Sequence, residues 1–310
     1  MHDIRLIAID WGTSSARAYA LDDRGQVLSE RNAPFGVQRI SDGQFAGALS
    51  TLCGGEVPAG VPLIASGMIG SRQGWVEAPY CECPAGFDAI AAALTRVPGT
   101  RLRIVPGMLC RDVDGIPDVI RGEETQVFGA LSASIGVRQV IALPGTHSKW
   151  VIAGPEGIET FASFMTGELY AVLREHSILG RLAVAAVDDD GAALDRGVRH
   201  SLRHQASLTH DLFSARTLAL TEALAPTGVA DYLSGLLLGS EIAAARAWLG
   251  GHGLEREPVM LLGDAALVMR YRRALALAEI ESASGPSDAA ARGLWQIARH
   301  AGMLDALSDE

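Results

Sequence analysis

Hydrophobic and polar positions along this chain fall into short blocks, and one arrangement of blocks occurs twice. An apolar run over 4–9 gives way to the polar turn Asp10-Trp11-Gly12-Thr13-Ser14-Ser15, a second run over 16–21, a turn at Asp22-Asp23-Arg24-Gly25 and a third run over 26–31. Runs of this length joined by tight polar turns predict a three-stranded antiparallel meander. The layout returns mid-chain as 140–143, the turn Pro144-Gly145-Thr146-His147-Ser148, 150–153, the turn Gly154-Pro155-Glu156-Gly157 and 158–164. Both copies carry Gly-Thr in the first turn and a glycine in the second, at Gly25 and Gly157, so the second reads as a duplicate of the first.

Between the copies, 61–65 and 102–105 predict strands of α/β units and 122–134 predicts a helix. From 166 to about 249, Leu, Ala and Arg recur at helical spacing. A strand over 259–262 runs into Gly263-Asp264 and a helix carrying Leu267, Arg270 and Tyr271; 275–280 predicts one further strand and 288–301 a closing helix. The expectation is an α/β chain of two lobes of related topology, residues 1–135 and 136–310, the second with a helical insertion at about 166–250.

Composition narrows the function. The 310 residues include 36 acidic and 26 basic side chains, a net charge of −10, which argues against a nucleic-acid partner because phosphate backbones are recognised by clustered positive charge. Lys149 is the single lysine, so the other 25 basic residues are Arg. It follows Ser148 and is not part of Gly-Lys-Ser/Thr, which excludes a P-loop, and no lysine stands where a protein kinase needs one. GxGxxG after a strand, GxSxG and HExxH are also absent. The opening Met1-His2-Asp3-Ile4-Arg5, acidic early and followed by a short apolar run, is expected to be neither a signal peptide nor a membrane span. Without a secretory signal, Cys53, Cys81, Cys83 and Cys110 are expected to be reduced thiols in a cytoplasmic protein. Cys81-Glu82-Cys83 lacks a second ligand pair, and His200 and His204, four apart, lack an evident third ligand; neither pair is expected to hold a metal, the histidines reading as a solvated helix face.

The duplicated first turns carry the candidate chemistry. A Gly-Thr turn between strands aims backbone N–H groups at one point and lets an anion approach closely, so a matched pair points to phosphate binding rather than hairpin punctuation. The copies differ two residues before the glycine, where the first has Asp10 and the second Leu143. Asp10 ends an apolar strand, where a carboxylate is costly unless paired or bound to a cation; it reads either as a Mg²⁺-organising residue or as a turn cap.

Asp10-Trp11-Gly12-Thr13-Ser14-Ser15-Ala16-Arg17 and Pro144-Gly145-Thr146-His147-Ser148-Lys149-Trp150 resemble the two phosphate motifs of the sugar kinase, actin and heat-shock chaperone superfamily, with Met260-Leu261-Leu262-Gly263-Asp264 at the place of its adenosine motif. With Ala65-Ser66-Gly67-Met68-Ile69-Gly70-Ser71-Arg72 and Ile120-Arg121-Gly122-Glu123-Glu124-Thr125-Gln126, the chain resembles the 2-dehydro-3-deoxygalactonate kinases from Ile7 to about Ala276. The resemblance implies two actin-like (ribonuclease H-like) lobes with an interlobe cleft, closing over ATP and a sugar acid. It also implies ATP- and Mg²⁺-dependent phosphorylation of 2-dehydro-3-deoxy-D-galactonate at the 6-hydroxyl, in galactonate and galactose catabolism. Another sugar acid such as 2-dehydro-3-deoxygluconate as acceptor, or a nucleotide-binding regulator on the same lobes, are the alternatives, and a homodimer stays open.

On that basis Asp10 is expected to organise Mg²⁺, with Gly12, Thr13 and Ser14 on one side of the phosphates, Gly145, Thr146 and His147 on the other, and Gly263 and Asp264 near the nucleoside. Lys149 is expected to neutralise phosphate or substrate carboxylate, or else to be a strand residue facing solvent. Glu123 or Glu124, at the start of the 122–134 helix, is the candidate base, although a glutamate there is also favoured by the helix dipole; Asp10 is the fallback. Arg72 is the candidate for the sugar-acid carboxylate, walled by Ser66, Gly67, Met68 and Trp75. Thr166, Gly167 and Glu168 either add sugar contacts or form an N-cap.

Overall fold

The computed structural model describes residues 4–41, 43–55, 57–131, 137–185, 191–204 and 207–305. β1 (Leu6–Trp11) is an apolar run buried almost throughout, as befits a strand flanked on both sides. It pairs antiparallel with β2 (Ala16–Leu21), and β2 with β3 (Val27–Ala33), an exposed edge whose Glu30, Arg31 and Asn32 discourage pairing with another chain. Beyond α1 (Phe45–Cys53), β4 (Leu63–Gly67) lies parallel to β1. β5 (Tyr80–Glu82), α2 (Phe87–Ala92), β6 (Thr95–Arg96) and β7 (Leu102–Ile104) follow, and the first sheet has the order β3-β2-β1-β4-β7-β6. β8 (Gly107–Arg111) and β9 (Pro117–Ile120) join β5 in a separate three-stranded sheet, and β9 delivers the chain to α3 (Glu123–Leu131). The remainder of that predicted helix, 132–134, lies outside the described residues.

The second meander is β10 (Gln139–Leu143), β11 (Ser148–Gly154) and β12 (Gly157–Phe164). The helical stretch follows as α4 (Thr166–His176), α5 (Ala192–Arg203), α6 (Leu208–Leu220) and α7 (Val229–Gly250), and then β13 (Val259–Leu261), α8 (Ala265–Leu277), β14 (Ser282–Ser284) and α9 (Ala289–His300). The second sheet has the order β12-β11-β10-β13-β14, with β13 parallel to both neighbours. Strand for strand this repeats β3-β2-β1-β4-β7, in which β4 is parallel to β1 and to β7. The duplication legible in the sequence is therefore one of topology.

The strand predicted over 275–280 is absent. Leu275 is fully buried in the last turn of α8, because a run of Ala and Leu continues a helix at little cost; the strand starts only at Ser282. By compactness the chain forms two units, one of residues 1–138, 152–161 and 286–310 and the other of 139–151 and 162–285. The expected boundary at 135/136 lies outside the described residues, and α9 groups with the first unit, although the sequence alone leaves it in the second lobe.

The core of the first unit gathers Ile7, Ile9 and Trp11 of β1 with Leu63 of β4, Leu102 and Ile104 of β7, and Phe45, Leu49 and Leu52 of α1. α9 seats α3 in the same unit by near contact of backbones. A Cβ at Gly129 would lie 1.9 Å from the Ala289 carbonyl oxygen, and one at Gly293 only 1.8 Å from that of Thr125, so both positions demand glycine. In the second unit Ala215, Leu224, Val229, Tyr232 and Leu236 form a cluster beneath the helices.

Candidate active site

Three segments of the first unit converge at the carboxyl ends of parallel strands β1 and β4, the usual place for ligands in α/β sheets. Strand register sets Asp10 beside Ser66 and Trp11 beside Gly67. Gly67 has φ +90°, and a side chain there would come within 2.7 Å of the Trp11 carbonyl oxygen. The third segment, Gly122 at the head of α3, also has positive φ and passes against the Gly67 Cα; Thr125 Oγ1 lies 3.4 Å from Ser66 Oγ. Asp10, Ser66, Gly67, Glu123 and Glu124 are thereby brought together.

The two glutamates differ sharply. Glu124 is fully buried, accepts the Gly122 N–H through Oε2 at 2.6 Å, and its Oε1 has no hydrogen-bond partner; burial first, and then the neighbouring Glu123 charge, push its carboxyl up to about 8. Glu123 is only half-buried and accepts the Arg121 N–H at 3.0 Å. Burial also pushes the Asp10 carboxyl up to about 6, with Arg17 pulling it down and Glu123 adding to the rise. In the turn between β1 and β2, Gly12 N–H bonds to the Ser15 carbonyl at 2.9 Å, leaving Thr13 and Ser14 exposed.

Among the predicted substrate residues, Ser66 and Gly67 belong to this convergence, and Met68 opens the short helical turn that follows. Trp75 is half-buried and stacks on Phe45, with ring centroids 5.8 Å apart. The Arg72 side chain is 88% exposed and is ion-paired with Glu77 at 3.0 Å.

In the second unit α4 is locked onto the turn between β10 and β11. A Cβ at Gly167 would fall 2.4 Å from the Gly145 carbonyl oxygen, Glu168 N–H donates to the Thr146 carbonyl at 2.9 Å, and the His147 and Glu168 side chains are paired. Thr166 and Glu168 thus gather at the second turn. Thr166 makes no N-cap, since Met165 holds that position without a side-chain bond. Lys149 is buried and donates to the His147 carbonyl at 3.0 Å, which sets aside the solvent-facing alternative. Gly263, φ +138°, passes the Pro144 carbonyl, and Asp264 caps α8 by accepting the N–H groups of Ala266 and Leu267. A cavity of about 270 Å³ opens here, walled by Gly145, Gly167, Tyr170, Leu267, Arg270 and Tyr271.

Sequence reasoning missed Glu241 of α7. It is buried, and its carboxylate accepts from Ser148 Oγ at 2.8 Å, Trp150 Nε1 at 2.8 Å and Tyr271 OH at 2.9 Å, tying the strand after the second turn to α7 and α8. The signal was present, since an acid in the middle of an apolar helix must find partners. Sequence reasoning also left His200 and His204 without a third ligand; buried Asp211 supplies that group. Burial raises the Cys81 and Cys83 thiols, the latter to about 12, so neither presents a thiolate near neutral pH. No described helix is long and apolar enough to cross a membrane.

At 12% identity, the chain matches the ADPNP-bound activator of 2-hydroxyisocaproyl-CoA dehydratase from Clostridium difficile with a TM-score of 0.51 over 99% of this chain and 96% of that one, a likeness of fold. A crystal structure of a Sinorhizobium meliloti protein assigned as a 2-dehydro-3-deoxygalactonokinase matches with a TM-score of 0.84 at 36% identity, over 95% of this chain and 98% of that one. The protein is an ATP-dependent carbohydrate kinase built on the actin-like ATPase fold. The 2-keto-3-deoxy-galactonokinase family model matches residues 10–297. A probable 2-dehydro-3-deoxygalactonokinase of Rhizobium meliloti is 38% identical over 94% of this chain and 97% of its own length, and the 2-dehydro-3-deoxygalactonokinase of Escherichia coli is 34% identical over 87% and 89%. The chain belongs to the 2-keto-3-deoxy-galactonokinase family.

Proposed function

We propose that this kinase transfers the γ-phosphoryl group of ATP to the 6-hydroxyl of 2-dehydro-3-deoxy-D-galactonate, in the cytoplasm and as a step of galactonate breakdown. The observation that carries the residue assignment is the convergence of Asp10, Ser66-Gly67 and the head of α3 at the carboxyl ends of β1 and β4. Phosphoryl transfer asks a protein chiefly for positioning and charge neutralisation. Backbone N–H groups at Thr13 and Ser14, in the turn that the Gly12 N–H closes onto the Ser15 carbonyl, serve phosphate oxygens, as do Gly145, Thr146 and His147 in the second unit, with buried Lys149 as a fixed positive charge behind that turn. Gly263 borders the nucleoside and Asp264 holds the helix start beside it; the adjoining cavity, with Tyr170 and Leu267 in its wall, suits a flat base.

The donor set fits a divalent cation at Asp10, whose carboxyl is raised by burial, a cost that a bound cation offsets. Asp10 would hold Mg²⁺, which when bound neutralises phosphate charge. Glu123, half-buried at the head of α3, accepts the proton of the 6-hydroxyl as the hydroxyl oxygen bonds to the γ-phosphorus and the bond from that phosphorus to the β-phosphate oxygen breaks, releasing ADP. Glu124 is sealed from substrate and holds the helix start instead. Arg72 binds the substrate carboxylate by exchanging Glu77 for it, at little cost because exposed ion pairs are worth at most about 1 kcal/mol. Ser66, Gly67, Met68 and Trp75 wall the acceptor, and Thr166 and Glu168 steady the second turn.

A coupled ADP-release assay across a panel of sugar acids tests the proposal. The expected result is turnover with 2-dehydro-3-deoxy-D-galactonate well above that with the gluconate epimer. No release with any 2-keto-3-deoxy sugar acid rejects the substrate class.

A further inference from the structure

We propose that His200, His204 and Asp211 bind a divalent transition-metal ion of the zinc class, joining the end of α5 to the start of α6. His200 lies in the last turn of α5 and His204 caps its end, their rings edge to face with centroids 4.7 Å apart. Asp211, 1% exposed in the first turn of α6, places Oδ1 3.4 Å from His200 Nε2 and 3.4 Å from His204 Nδ1. That separation is long for an N–H···O hydrogen bond, but it is about the edge of a tetrahedron with metal–ligand bonds of about 2.1 Å.

The surrounding hydrogen bonds have a direction, and it fixes what faces Asp211. Ser214 Oγ lies 2.5 Å from the Asp211 carbonyl oxygen, which can only accept, so the serine proton is used there. Tyr232 OH, 2.9 Å from Ser214 Oγ, therefore donates to it, and His200 Nδ1–H donates to Tyr232 OH at 2.6 Å. With Nδ1–H engaged by Tyr232, Nε2 is the ring nitrogen that faces the Asp211 carboxylate, and His204 Nδ1 meets the same oxygen. A ring proton would draw nitrogen and oxygen closer than 3.4 Å, whereas a metal ion holds both nitrogens and the oxygen at that spacing. Ser207 Oγ lies 2.8 Å from both Asp211 Oδ2 and the His204 carbonyl oxygen, so its one hydroxyl proton is shared between two acceptors at the carboxylate's outer side, the place of an outer partner around a bound metal. His204 is half-exposed, leaving a fourth position to water. Two imidazole nitrogens suit zinc, cobalt or nickel and disfavour Mg²⁺, so this ion is separate from any that the reaction uses.

The test uses full-length protein stripped with a chelator and titrated with Co²⁺ in excess Mg²⁺, then with Zn²⁺ as competitor. The proposal expects one Co²⁺ per chain with the visible absorption of a tetrahedral site, displaced by Zn²⁺, and a Zn²⁺-dependent rise in Tm. In His204→Ala, a change at a half-exposed position, binding weakens by more than about tenfold, the scale attached even to outer-partner losses, the Tm rise disappears and basal kinase activity is kept. A wild-type protein without a saturable Co²⁺ band, or a variant that binds as the wild type does, overturns the proposal.

Discussion

Replacing Glu124 by Gln isolates a burial cost at the head of α3. The carboxyl rises from 4.5 to about 8 in the folded protein, because it is fully buried, next to Glu123, and offered only one main-chain N–H from outside its own residue. Between those values the folded chain holds a proton that the unfolded chain has released, so stability falls as pH rises across the window and the penalty is complete above about 8. At about 1.4 kcal/mol per pH unit, the full excursion is of the order of 5 kcal/mol. Gln keeps the acceptor for Gly122 N–H and carries no charge. The stability of Glu124→Gln minus that of the wild type should therefore climb steadily from about pH 5 to pH 8, with other titrations cancelling in the difference. Urea unfolding of both proteins across that range measures it, and a difference that stays flat refutes the burial argument. Assayed alongside, Glu124→Gln should keep kcat within a few-fold, whereas Glu123→Gln should lose about 10²- to 10⁴-fold.

Two further outcomes test the site. Asp10→Asn should leave the far-UV circular dichroism spectrum unchanged while kcat falls below about a tenth of wild type; retention of more than that removes Asp10 from the cation role. Arg72→Ala should raise KM for the sugar acid by about 10- to 100-fold, the worth of a charge-assisted contact, with kcat little altered; an unchanged KM takes Arg72 out of the carboxylate site.

The repeated meander was legible because its information is local. Run lengths, the paired Gly-Thr turns and the glycines at positions 25 and 157 state strand, turn and duplication without tertiary knowledge, and the sheet orders repeat accordingly. Leu275 was misread because an apolar residue in a short Ala-Leu run fits a strand or a helix equally, and only packing decides. The three-stranded sheet of β5, β8 and β9 escaped because its strands span three to five residues and are partly exposed. In the site, Asp10 and the turns stood out by residue type. The difference between Glu123 and Glu124 did not, because adjacent residues on a helix start share a sequence context while burial separates them completely. Asp211 was hidden for another reason, since the ring nitrogens it meets are supplied by a different helix.

The glycine-to-backbone crossing of α3 and α9 carries a consequence for how the enzyme is made. The helix bearing the proposed base is seated by a segment translated roughly half a chain later, so a ribosome that has finished β1, β4 and α3 has produced the acidic cluster without its buttress. Domains generally fold as units during synthesis, and α3 gains its packing surface only when α9 emerges. Until α9 emerges, the residue proposed as base rides on a helix without its seat, and Gly129 and Gly293 are where that late contact is made.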